Sequence, residues 1–267
     1  MKVTFAFVTD IHYGFDQANK KGSHAPRLIG RFIATANRRR VDFAVNGGDR
    51  VIQTNRASDL HYANELSKQF NALAMPMEEV DGNHDRKYLT NAENAAIFGV
   101  PEGSYFKEIK NYRMIFWNPP TRITPHEGLK IEPCDIDWLK ETLASATMPC
   151  VLFTHIPLDN SINDNMLAMR HDSRPFLSFY PQAEEVRQVL EESGKILLCM
   201  AGHRHRNRHR DINGIHYITH QSLVQVNSKN NRPRGAFSIV TIDDKGIAIK
   251  GYGIAQPSLV LPRYTAP

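Results

Sequence analysis

KVTFAFVTDIH, residues 2–12, is a short apolar run that ends abruptly in an aspartate and a histidine two positions apart. Residues 2–9 read as a strand buried on both faces, because the apolar run is nearly continuous rather than alternating. Extended backbone repeats every second residue, so Asp10 and His12 at the exit project toward one side. The same device recurs four times. Residues 41–45 lead into Asn46-Gly-Gly-Asp49, residues 77–80 into Gly82-Asn83-His84-Asp85, residues 150–153 into His155, and residues 196–201 into Gly202-His203-Arg-His205.

Helical periodicity fills the intervals. Leu28, Ile29, Phe32, Ile33 and Ala36 recur at helical spacing within 26–39, with Pro26 suited to the first turn. A second helix is expected over 58–74 with Ser58 as N-cap, and a third over 134–144, burying Ile136, Leu139 and Leu143. Hairpins are expected for 104–109 with 112–117, and for 208–212 with 215–219 around Asn213-Gly214. A further turn is expected at Asp244-Lys-Gly246. Trp117, Trp138 and Cys199 read as core. The alternation predicts an α/β fold, whose ligands bind beyond the carboxyl ends of the strands. Five motifs far apart in sequence can therefore meet.

At 267 residues, without repeats or a Pro/Gly/Ser linker, the chain is expected to form one domain over 1–267. Residues 158–181 have few periodic apolar positions and are a candidate substrate lid or homodimer element. A 41% hydrophobic and 23% charged composition is that of a soluble globular protein, not a disordered chain. The +5 net charge and pI near 9.1 favour an anionic partner. Cys134, Cys150 and Cys199 share no CxxC spacing, which argues against a disulfide framework and a thiolate zinc site. No signal-type segment is legible, and no apolar run reaches the roughly 20 residues of a membrane helix. The expected location is cytoplasmic, with no membrane partner.

Carboxylate, amide and imidazole donors together suit Mn²⁺, Fe or Zn²⁺ better than Ca²⁺. The order D-x-H, G-D, G-N-H-D, H, G-H-x-H resembles the signature of the calcineurin-like metallophosphoesterase superfamily, and within it the class III cyclic-nucleotide phosphodiesterase branch. The resemblance runs from Asp10 to His205, about three-quarters of the chain. It implies a two-sheet β-sandwich flanked by helices in four αββα layers, holding two divalent metal ions. By the same resemblance Asp10, His12, Asp49 and His205 hold one ion. Asp49 bridges to a second, completed by Asn83, His155 and His203. His84 contacts the phosphate or protonates the leaving oxygen, and Asp85 orients His84.

Arg50 departs from the hydrophobic residue many relatives carry there, and either touches the phosphate or forms a structural ion pair. His24, Arg170, His171 and Arg174 are candidate readers of the non-phosphoryl part of a substrate. Two divalent ions outweigh Asp10, Asp49 and a bridging hydroxide by about one positive charge, which favours a phosphate anion. The expected activity is hydrolysis of a small nucleotide-like or cyclic phosphodiester by attack of that hydroxide. A phosphomonoesterase or nucleotide-diphosphate hydrolase is the alternative with the same site, and a nuclease a third. A non-catalytic scaffold of the same fold is the alternative from another class, disfavoured because every ligand position is filled. The expected partner is a small phosphorylated substrate such as a cyclic nucleotide. Nucleic acid is disfavoured, because the basic run 203–210 has no interleaved aromatics for stacking.

Overall fold

The computed structural model describes residues 1–124, 128–159 and 178–264. Strand β1 (Val3–Val8) sorts its side chains by parity. Val3, Phe5 and Phe7 enter one apolar cluster, Ala6 and Val8 another. A strand apolar on both faces belongs inside a layered fold, where both faces are covered. The first sheet runs β14 (Leu259–Leu261), β13 (Ile247–Tyr252), β12 (Phe237–Ile242), β1, β2 (Phe43–Asn46), β3 (Met77–Glu79). The second runs β4 (Tyr105–Ile109), β5 (Tyr112–Phe116), β6 (Cys150–Phe153), β7 (Ile196–Ala201), β9 (Ile215–Thr219), β8 (Arg208–Ile212). A short ribbon pairs β10 (Val226–Asn227) with β11 (Arg232–Pro233).

The two sheets pack face to face through aromatic rings. Phe5 lies 5.2 Å from both Phe43 and Phe153, Phe116 stacks on Phe153 at 5.2 Å, and Phe7 reaches Phe153 at 6.2 Å. Burying each ring contributes about 1.5–3 kcal/mol relative to exposure. This contact fixes one sheet against the other.

Helices cover the outer faces. α1 (Ala25–Arg39) and α2 (Arg56–Phe70) place Leu28, Ile29, Phe32 and Leu66 against Ala6, Val8, Ala44 and Ile239 of the first sheet. α5 (Pro133–Ala144) and α6 (Ala183–Ser193) place Ile136, Leu139, Val186 and Leu190 against Ile115, Leu152 and Cys199 of the second. The result is the four-layer αββα sandwich. α3 (Asp85–Tyr88) and α4 (Asn91–Phe98), the latter opened by a Thr90–Glu93 capping box, follow β3. α2 begins earlier than expected: its cap is Asn55, whose side chain accepts the Ser58 amide N–H at 3.0 Å. Trp117 is fully buried, while Trp138 is partly buried against the same cluster.

β1, β2 and β3 are parallel neighbours, as are β5, β6, β7 and β9. Parallel strands direct all their exit loops to one edge, and every motif lies in such a loop. Of the candidate lid, residues 160–177, with Arg170, His171 and Arg174, lie outside the described residues. Among the described residues no helix is long and apolar enough to cross a membrane.

Candidate dinuclear metal centre

The exit loops are laced together by main-chain hydrogen bonds. Asp10 N–H donates to Gly48 O and His12 N–H to Asp49 O, both at 2.9 Å, and Gly202 N–H donates to His155 O at 3.0 Å. Such close approach leaves no room for side chains on two of the glycines. A Cβ on Gly82 would lie 2.1 Å from Asp49 Oδ1, and one on Gly202 would lie 2.5 Å from Asp10 Oδ2. The loops also hold strained backbone. Asp10 (φ 53°), His12 (42°), Asp49 (57°), His203 (67°) and His205 (53°) all sit in the left-handed region. Each such residue costs on the order of 1–3 kcal/mol, tolerated where the surroundings over-determine it. Here the strain falls on the proposed ligands themselves.

Their side chains converge in two groups that share Asp49. Donor atoms of Asp10, His12, Asp49 and His205 all lie within 4.8 Å of one another, as do those of Asp49, His155 and His203. His12 Nε2 stands 2.9 Å from His205 Nε2 and 3.7 Å from oxygens of both Asp10 and Asp49. His205 Nε2 is 3.1 Å from Asp10 Oδ1, and His155 Nε2 is 3.4 Å from Asp49 Oδ1. Asn83 Oδ1 and His155 Nε2 are buried without a hydrogen bond among the described residues. Two buried carboxylates, converging imidazoles and an orphaned amide oxygen are costly without a cation. The donor set fits a pair of Mn²⁺, Fe or Zn²⁺ ions.

The electrostatics agree. Burial opposes ionisation of Asp49, but His155 and His84 outweigh it and hold its pKa well below the usual carboxylate value. Burial likewise opposes a charge on His155, yet Asp49 and Asp10 push its pKa up to about 9. Protons and metal ions therefore compete for this ring. Its Nδ1–H donates to Gly47 O at 2.7 Å, which aims Nε2 at Asp49. His205 Nδ1 is held 2.9 Å from Gln225 Oε1, which aims its Nε2 at Asp10.

His84 stands at the edge of this cluster. Its Nδ1–H donates to Ile52 O at 3.2 Å, leaving Nε2 3.9 Å from Asp49 Oδ2 on a side chain 19% exposed. Asp85 does not orient that ring, contrary to the expectation from resemblance. Its carboxylate accepts the main-chain N–H groups of Asp49, Arg50 and Gly82, each at 2.8 Å, and so ties two motif loops together. Of the two expectations for Arg50, the structural ion pair is the one seen, and the substrate-binding one is corrected. It is 1% exposed, ion-paired with Asp81, Glu79 and Asp85, hydrogen-bonded to Asn94 and laid over Phe98 at 4.3 Å. A guanidinium so enclosed is shut off from solvent, and its charge is balanced by three carboxylates rather than by a phosphate.

His24 pairs with Arg27 at the entry of α1 and has no hydrogen bond or ion pair to the donor cluster among the described residues. Two arginines of the basic run turn to folding: Arg208 and Arg204 lie 3.5 and 3.7 Å from the buried Asp159 carboxylate. Gln225 was not legible as a functional residue. A sixth strand exit, Thr219-His-Gln-Ser222 after β9, repeats the apolar-then-polar device three residues before it, and Ser222 Oγ–H donates to Asp10 O at 2.7 Å.

A family model described as calcineurin-like phosphoesterase matches residues 3–207. No curated protein matches the sequence significantly. Among solved structures, a dimetal phosphatase from Danio rerio superposes with a TM-score of 0.78 at 14% identity, covering 98% of this chain and 99% of that one. A purple acid phosphatase from yellow lupin (Lupinus luteus) seeds gives 0.68 at 12% identity, over 98% of this chain and 54% of that one. The anchor protein of the inner membrane complex of Plasmodium gives 0.64 at 15% identity, over 99% and 90%. At such identities the structural likeness shows the fold; the family model and the motif geometry go further. The chain belongs to the calcineurin-like phosphoesterase family.

Proposed function

We propose that this chain is a two-metal phosphodiesterase for small, nucleotide-sized or cyclic phosphodiesters. The observation that carries the reading is the pair of donor groups sharing Asp49, with His84 Nε2 3.9 Å from the shared carboxylate. Asp10, His12, Asp49 and His205 would hold one ion, and Asp49, Asn83, His155 and His203 the other. Two such ions, when bound, supply Lewis acidity toward a phosphoryl oxygen and bring the pKa of water to roughly 7. His84 is the one motif imidazole with an outward-facing nitrogen and no place in either donor group. With Nδ1–H fixed on Ile52 O, its Nε2 is the atom turned to the reacting phosphate, and as the imidazolium it carries the proton that would pass to a phosphoryl oxygen or the leaving group. No serine, cysteine or threonine nucleophile is required.

The test compares hydrolysis of bis(p-nitrophenyl) phosphate and p-nitrophenyl phosphate by Mn²⁺-loaded protein, with Asp49→Ala as the blank. Preference for the diester supports the proposal. Preference for the monoester transfers it to a phosphomonoesterase using the same residues, and blank-level rates on both refute it for these ester classes.

A further inference from the structure

Lys20 is a buried cation for which the proposed reaction has so far no use. It is 9% exposed, and among the described residues its ammonium forms no hydrogen bond or ion pair. The neighbouring Lys21 differs: it is more exposed, and its ammonium stands 3.8 Å from Asp16. A cation so largely withdrawn from water and without a protein partner is well placed to take an anion beside it.

The surroundings place that counter-ion at the metal centre. Lys20 bridges in antiparallel fashion to Gln225, whose side chain holds His205. Val226 N–H donates to Asn19 O at 2.9 Å and Lys21 N–H to Val224 O at 3.0 Å, so the segment is clamped on both sides of Lys20. On its other flank the turn presses on the first motif: a Cβ on Gly22 would lie 2.6 Å from His12 O. Burial lowers the Lys20 pKa, while the charges of Asp49 and Asp10 favour its protonated form. In return its charge disfavours protonation of His12 and His84. Lys20 therefore shares the electrostatic space of both carboxylates and of the imidazole assigned to the leaving group.

Asp10 and Asp49 are the carboxylates whose charges favour the Lys20 ammonium, and both are claimed by the proposed ions. Divalent cations on those carboxylates neutralise them and leave the ammonium in want of a negative charge. The group that arrives with one is the substrate's phosphate. We propose that Lys20 is a specificity-determining residue that holds an anionic phosphate oxygen beside the metal centre on the His12–His84 side. The ligand class is a phosphate group with an oxygen to spare beyond those facing the metals. The inference rests on the proposed two-metal reading of the site.

Lys20→Met keeps most of the apolar stem and removes the charge, and Lys20→Arg restores the charge. Binding of inorganic phosphate to Mn²⁺-loaded protein is measured by titration calorimetry, with metal content determined for each variant. Loss of a charge-assisted hydrogen bond is expected to weaken phosphate binding about tenfold to a hundredfold in Lys20→Met at unchanged metal content. Lys20→Arg is expected to recover part of that loss. In turnover of bis(p-nitrophenyl) phosphate, KM rises more than kcat falls. A Lys20→Met protein that binds phosphate like the parent overturns the proposal. So does one whose phosphate binding falls only in step with lost metal, because Lys20 then serves the carboxylates. Phosphate binding that depends on Lys20 in a protein that hydrolyses neither nitrophenyl ester would sink the phosphodiesterase reading and leave the Lys20 assignment standing.

Discussion

Replacing Asp85 by asparagine separates two roles for that residue. Oδ2 accepts the N–H groups of Asp49 and Gly82, Oδ1 accepts that of Arg50, and Arg50 Nε lies 3.4 Å from Oδ2. Burial, with help from the Asp49 and Asp81 charges, raises the Asp85 pKa above the usual carboxylate value against the pull of Arg50 and the Gly82 N–H. An amide keeps one accepting oxygen. With that oxygen on the Asp49–Gly82 side, the Arg50 N–H meets an NH₂ group, and a buried unsatisfied donor costs about 1–3 kcal/mol. The two retained bonds fall from charge-assisted to neutral, a loss of roughly 1 kcal/mol each. The total is about 3–5 kcal/mol, or a melting temperature lower by on the order of 10 °C in a chain of this size. Asp49 is carried by the loosened loop, so metal affinity falls with it. The assay is thermal melting of metal-free protein together with metal content and kcat, run beside His84→Ala. His84→Ala is expected to keep its melting temperature and metal while kcat drops about 10²–10⁴-fold. If Asp85→Asn instead melts like the parent, keeps full metal and loses kcat as His84→Ala does, Asp85 acts through His84 and the structural reasoning is refuted.

Asp49→Ala is expected to abolish both turnover and stable two-metal occupancy; an active, fully loaded variant would remove the shared-carboxylate assignment. Gln225→Ala frees His205 Nδ1 and is expected to weaken metal affinity about 10–100-fold in competition with a chelator, whereas unchanged affinity would show that His205 needs no such support. His220 is buried, and burial pushes its pKa down to about 4. The folded protein therefore keeps it neutral where the unfolded chain, near 6.5, takes up a proton, so stability present above pH 6.5 is lost as pH falls toward 4, by up to about 1.4 kcal/mol per unit. Melting temperatures of metal-free protein between pH 4.5 and 7 should fall less steeply in His220→Gln; parallel curves would clear His220 of the acid sensitivity.

The strand–helix alternation and the inventory of donors were legible in the sequence because both are local. A continuous apolar run marks β1 whatever its neighbours, and Asp10-Ile-His12 or Gly202-His-Arg-His205 offers its ligands within one loop. α3 and α4 were missed because both are short and lie directly behind a ligand motif, where periodicity has no room to show.

Sequence could not decide where long side chains turn after leaving a motif. Arg50 and Asp85 look like site residues by position, yet one is enclosed by three acids and Phe98, and the other is consumed by three main-chain amides. Gln225 and Lys20 carry no motif at all; Gln225 reaches the centre through His205, and Lys20 pairs with the Gln225 backbone. The sequence by itself determined the fold class and the proposed ligands, because apolar periodicity and donor chemistry act over a few residues. Only the tertiary structure decided which charges face the site and which are neutralised behind it, because partner choice depends on how separate strand exits and helices pack together.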